Sequence, residues 1–167
     1  MDAETLFDCI SRNDVEELKR LLENGENINI QNENGHTPLH VAASNNFNEA
    51  IICLLKHGAN ANIQNNSGNT PLHLASWRNS KEAIICLLEN GANPNIQNNV
   101  GNTLLHLAAY YNFKEILMCL LEYGSNPNIQ NKNGQTFLDR IKNRVLKKEM
   151  EEYVKMIQMY SIKEPEN

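Results

Sequence analysis

The sequence predicts an all-α repeat solenoid, in which helix–turn–helix units stack side by side and extended loops join them. Three markers that recur at one spacing carry this reading. Gly35-His36-Thr37-Pro38-Leu39-His40 returns as Gly68-Asn69-Thr70-Pro71-Leu72-His73, as Gly101-Asn102-Thr103-Leu104-Leu105-His106, and in altered form as Gly134-Gln135-Thr136-Phe137-Leu138-Asp139. Each step is 33 residues. Gly25, Gly58, Gly91 and Gly124 keep the same step, and so do the Ile-Gln-Asn triplets at Ile30, Ile63, Ile96 and Ile129.

Within one unit each element has a local cause. Thr37 is a good N-cap, and Pro38 sits at the first helical position, where a missing N–H is harmless. Leu39, Val41, Ala42 and Ala43 make a short helix of small apolar residues, broken at Asn45-Asn46. Residues 47–57 form the second helix, with Ala50, Ile51, Cys53, Leu54 and Leu55 at helical spacing. Gly58 ends it in a left-handed cap. Residues 59–66 are rich in Asn and Gln, which suit turns. Two helices of this size cannot bury an apolar face alone, and stacking on neighbours solves that.

The Thr-Pro-Leu-His motif after glycine, the Ala-Ala pair, the Leu-Leu pair before Gly-Ala-Asn and the 33-residue step together resemble the ankyrin repeat, over residues 5–144. The resemblance implies an L-shaped unit of two antiparallel helices with a projecting β-hairpin loop. It also implies a protein-binding scaffold that uses its concave face. The expected organisation is a single domain over 1–161. It comprises an N-terminal cap repeat (1–29), full repeats at 30–62, 63–95 and 96–128, a C-terminal cap repeat (129–161) and a frayed tail (162–167). The first unit lacks Thr-Pro-Leu-His but keeps Leu18, Leu21, Leu22 and Gly25; the last replaces Pro with Phe137 and His with Asp139. Capped ends are the expectation for a complete protein that works as a monomer.

Composition excludes several functions. The net charge of −5 argues against nucleic-acid binding, which needs surplus Lys and Arg. No apolar run approaches the ~20 residues of a membrane span, and the acidic N-terminus lacks the layout of a signal peptide. The expected location is the cytoplasm, or a host cell reached without a recognisable signal. The chain has 28 asparagines, a bias that points to an AT-rich genome.

The sequence offers no catalytic motif: it has no phosphate-cradling glycine loop, G-x-S-x-G, H-E-x-x-H or CxxC. No enzyme activity, cofactor or metal is expected. His40, His73 and His106 lie in units about 10 Å apart, too far to converge on one ion at ~2 Å. By resemblance they tie each unit to the next loop. Cys53, Cys86 and Cys119 share the 33-residue step and, with Cys9, are expected to pack as small apolar groups. Four free thiols fit a reducing compartment. Glu49, Glu82 and Glu115 repeat as well and are expected to be solvated. Asn29, Asn62, Asn95 and Asn128 occupy a position that the family can hydroxylate in animal cells, although a backbone-capping role is expected.

Repeated positions serve the scaffold, so function is expected where the units differ. Two non-repeating residues follow each Ala-Ala or Ala-Ser pair: Ser44-Asn45, Trp77-Arg78 and Tyr110-Tyr111. The caps supply Ser11-Arg12 and Asn143-Arg144 in the same register. By resemblance this column faces the concave surface, and Trp, Tyr and Arg are the types enriched at interface hot spots. The expected partner-binding residues are Trp77, Arg78, Tyr110, Tyr111, Asn45, Ser44, Arg12 and Arg144. The hairpin tips (Glu33, Ser67, Val100 and Lys132 among them) are expected to tune specificity. Small proteins of the family resemble two uses, inhibitors of regulatory proteins and effectors aimed at host proteins. The alternatives are a scaffold with no specific partner, and a small-molecule binder or enzyme.

Overall fold

The computed structural model describes residues 3–161, apart from the side chains of residues 3–5, 78 and 161. The expected frayed tail, 162–167, lies outside the described residues. Among the described residues ten α-helices follow one another in pairs: α1 (Ala3–Ser11) with α2 (Val15–Glu23), α3 (Pro38–Asn45) with α4 (Asn48–Lys56), and α5 (Pro71–Ala75) with α6 (Lys81–Glu89). Then come α7 (Leu104–Tyr110) with α8 (Lys114–Glu122), and α9 (Phe137–Arg140) with α10 (Arg144–Ser161). First helices pack on first helices and second on second: α1 on α3, α3 on α5 and α7 on α9 in one layer, α2 on α4, α4 on α6 and α6 on α8 in the other. One apolar core runs between the layers from Leu6 to Val154.

The first helices of the three middle units, α3, α5 and α7, each start on a capping box that uses histidine. The Thr37 N–H donates to His40 Nδ1 at 3.1 Å, and the two side chains meet at 2.8 Å. Thr70/His73 and Thr103/His106 repeat the arrangement. Because Nδ1 accepts a backbone N–H, the imidazole is neutral with its proton on Nε2. That Nε2–H donates across the stack: His40 to the Asn69 carbonyl (2.9 Å), His73 to Asn102 (3.2 Å) and His106 to Gln135 (2.9 Å). Burial pushes the His40 and His73 imidazoles down to about 4, against the opposing pull of their carbonyl partners, and lowers His106 as well.

The loops use amides in the same way. Gln31 Nε2 donates to Gly35 O within its own loop (2.7 Å) and to Gln64 O in the next (3.2 Å); Gln64 and Gln97 repeat both bonds. Asn29, Asn62 and Asn95 each accept through Oδ1 the N–H of the residue 31 positions on, Asn60, Asn93 and Asn126, at 2.7–2.8 Å. These asparagines thus clip neighbouring loops together. The β-hairpin expectation does not hold, because no strand occurs among the described residues. Each loop closes on an Asx turn instead, as where Asn65 Oδ1 accepts from Ser67 N and Asn69 N.

Three further departures have local causes. The second helix of the second unit is Asn48–Lys56 rather than 47–57, with Phe47 at its N-cap. Each helix pair of the first four units turns on an asparagine with positive φ, Asn13, Asn46, Asn79 or Asn112, at 53–60°. Asn tolerates this left-handed conformation better than other non-glycine residues. The last unit ends its first helix early, and Asn143 Oδ1 then caps a new helix by accepting from Val145 N and Leu146 N (3.0 and 3.1 Å). Helix α10 therefore begins at Arg144, and Phe137, buried in place of the proline, fills the last interface.

Candidate functional site

Most polar groups inside the stack are committed to it, and the exposed ends of the first helices hold the residues expected to bind a partner. Trp77 is 58% exposed, Tyr110 42% and Tyr111 49%. They belong to two adjacent units, and Trp77 and Tyr111 line one small cleft of about 180 Å³ together with Phe113. Tyr111 stacks on Phe113 (centroids 5.5 Å apart, 21° between planes) and meets Tyr110 edge-on at 5.1 Å. Tyr110 in turn carries two cations, the Arg140 guanidinium 4.8 Å and the Lys142 ammonium 5.1 Å from its ring centre.

A serine shapes the Trp77 side of the cleft. Where the second and fourth units have Ala43 and Ala109, the third has Ser76, fully buried. Its hydroxyl donates to the His73 carbonyl at 2.7 Å. That bond competes with the helical ladder. Helix α5 stops at Ala75, and Ser76–Arg78 continue as a 3₁₀ turn that carries Trp77 outward. In the next segment Ser80 stands where the neighbouring units have Phe47 and Phe113. The smaller side chain caps α6 by accepting from Ala83 N (3.3 Å).

The other expected binding residues are placed differently. Ser44 is half-buried and donates to the Val41 carbonyl (3.0 Å), as does the exposed Asn45 through Nδ2 (2.9 Å), so both close the end of their own helix. Arg12 is exposed just past α1. The Arg78 side chain lies outside the described residues. Arg144 is exposed but opens α10 rather than ending a first helix, so the assumed equivalence with Tyr111 fails at the level of structure: the last unit lacks the Ala-Ala segment that sets that register. Phe113, Arg140, Lys142 and Ser76 escaped the sequence reading. Ser76 had a visible signal in its break from Ala, whereas Arg140 reaches Tyr110 from 30 positions away.

The loop tips are partly structural. Asn66 and Asn99 donate through Nδ2 to the preceding tip, at Glu33 O (2.9 Å) and Asn66 O (2.8 Å). Asn102 is buried and accepts from Asn131 Nδ2 at 3.0 Å. Val100 and Lys132 stay exposed.

The groups that could suggest other chemistry are occupied. The Nε2 proton of each box histidine is committed to a carbonyl. Burial raises the Cys9 thiol to about 11 and pushes up Cys53, Cys86 and Cys119, so all four are poor nucleophiles. Cys86 is only half-buried, less than its position in the repeat implied. Glu49, Glu82 and Glu115 are exposed.

A family profile described as ankyrin repeats (3 copies) matches residues 6–98 and, overlapping, 78–141. The chain belongs to the ankyrin-repeat family. Ankyrin repeats are in general protein–protein interaction modules, which is the class of function this ankyrin-repeat chain inherits. No curated protein matches it.

Proposed function

We propose that this ankyrin-repeat chain binds a partner protein through the ends of its first helices, with Trp77, Tyr110 and Tyr111 as the anchors. The observation that carries the reading is the joint exposure of three large aromatics, Trp77, Tyr110 and Tyr111, at the ends of the first helices of two adjacent units. Exposed aromatics grouped across two units give contact area at little conformational cost, because the stack holds them in place. Arg78 completes the group by sequence position, and Arg12, Ser44, Asn45 and Arg144 form its margin.

The same observations support a non-enzymatic role. The aromatic cleft, about 180 Å³, is smaller than the roughly 300–1,000 Å³ of small-molecule sites, and the imidazoles of His40, His73 and His106 are committed to the scaffold. The unpaired thiols favour a reducing compartment, in line with a cytoplasmic location or delivery into a host cytoplasm. Masking a regulatory protein or engaging a host protein both follow from occupying such a face.

A pull-down with a Trp77→Ala/Tyr110→Ala/Tyr111→Ala variant against wild type, with circular dichroism verifying that both fold, tests the reading. A partner captured by wild type and lost by the folded variant supports it. Equal capture by both moves the site away from the aromatics and rejects the proposal.

A further inference from the structure

The charge pattern narrows what this face accepts. The four stretches from each loop through the end of the first helix (30–46, 63–79, 96–112 and 129–145) hold five basic residues and two acidic ones, in a chain whose net charge is −5. The bases are Arg78, Lys132, Arg140, Lys142 and Arg144. Of the two acids, Asp139 is committed: its carboxylate accepts from Thr136 N and Oγ1, both at 2.9 Å, and lies 3.9 Å from Lys147. These stretches are therefore net positive, whereas the rest of the chain is net negative.

Arg140 and Lys142 lie beside Tyr110 next to the cleft, and among the described residues neither pairs with a carboxylate. Arg140 Nε has no hydrogen-bond partner at all. Both sit over the Tyr110 ring, which orients them. A cationic ligand would meet two like charges beside the cleft. A polyanion such as nucleic acid would meet the repulsive field of the whole chain. A short segment with local negative charge avoids both penalties.

Resting on the proposed aromatic site, we propose that its occupant is an extended acidic peptide segment of the partner, with one large apolar side chain and a carboxylate within about three residues of it. The apolar side chain enters the cleft between Trp77 and Tyr111 over Phe113. The carboxylate accepts from Arg140 and Lys142. The spacing follows from the ring geometry. The Arg140 guanidinium lies 4.8 Å from the Tyr110 centroid, which lies 5.1 Å from that of Tyr111. The charge is thus within about 10 Å of the cleft wall, about three residues of extended chain at ~3.3 Å each.

The test is a selection from a random dodecapeptide display library on the full chain, followed by affinity measurements on the best synthetic peptides. These are made against wild type, Lys142→Glu, Arg140→Gln/Lys142→Gln and Trp77→Ala/Tyr111→Ala, each checked by thermal melting. Lys142 is exposed, so its reversal leaves folding intact even if the Arg140 change does not. The expected result is enrichment of Asp or Glu beside Leu, Phe or Trp. Affinity should fall about tenfold or more in Lys142→Glu and in the aromatic variant, and on replacing the peptide carboxylates by amides. Peptides that need the aromatics but show no acidic bias, and bind Lys142→Glu as well as wild type, overturn this inference and leave the aromatic site standing. Peptides indifferent to the aromatics overturn both. Failure to enrich any peptide, or tighter binding of single-stranded oligothymidylate than of every selected peptide, also overturns the acidic-peptide inference.

Discussion

Gly101 and Gly134 hold the same place in successive loops, yet they face different surroundings. Both have positive φ, +80° and +71°. A Cβ on Gly101 would meet the Lys132 backbone nitrogen at 2.6 Å, whereas one on Gly134 meets nothing within 4 Å, because no further loop packs there. Gly134→Ala should therefore cost only the left-handed backbone penalty, about 1–2 kcal/mol. Gly101→Ala should cost clearly more, since the displaced atom is backbone and cannot rotate away. Urea unfolding of both variants checks this, and equal losses would mean that the loops yield without resistance. The positive φ was readable from the glycine spacing. The close approach was not, because it depends on how tightly the next loop is drawn in by Gln97 and its counterparts.

At the scale of the element, the 3₁₀ turn at Ser76–Arg78 is the feature most exposed to a single substitution. Ser76→Ala removes the hydroxyl that occupies the His73 carbonyl, and the third unit then matches its neighbours at this position. We expect α5 to lengthen towards the extent of α3 and α7, and Trp77 to turn. Trp77 is the only tryptophan in the chain, so its emission maximum reports the change directly. An unchanged spectrum would mean that backbone packing, not the hydroxyl, sets the turn. The start of α10 illustrates the opposite case. Sequence register placed Asn143-Arg144 at the end of a first helix, but an Asn Oδ1 within reach of two N–H groups starts a helix wherever the chain allows it.

At the scale of the whole molecule, the histidine boxes make stability depend on pH. The imidazoles of His40 and His73 titrate near 4 in the folded chain and near 6.5 when unfolded. The unfolded state binds the extra protons, so stability is complete above about pH 6.5. It falls as pH drops towards 4 and loses nothing further from these two groups below that. By pH 5 the loss is on the order of 2 kcal/mol for each, and His106 adds to it in the same direction. Thermal melts from pH 7.5 to 4.5 should show the decline. His73→Gln, which keeps a capping-box residue without a titrating ring, should make it shallower while His40 and His106 keep the rest. An unchanged slope in that variant would place the acid sensitivity elsewhere.

By itself the sequence determined the 33-residue register, the caps at Thr37, Thr70 and Thr103, the glycine helix ends and the family, because each arises from contacts within a unit or with its immediate neighbour and so repeats in print. It also marked Trp77, Tyr110 and Tyr111 as the positions where the units diverge. Only the tertiary structure decided that the loops close as Asx turns rather than strands, that Ser44 and Asn45 serve their own helix, and that Arg140 and Lys142 stand over Tyr110. Those outcomes depend on side chains from different units arriving at one place, and no spacing along the chain encodes the distance across it.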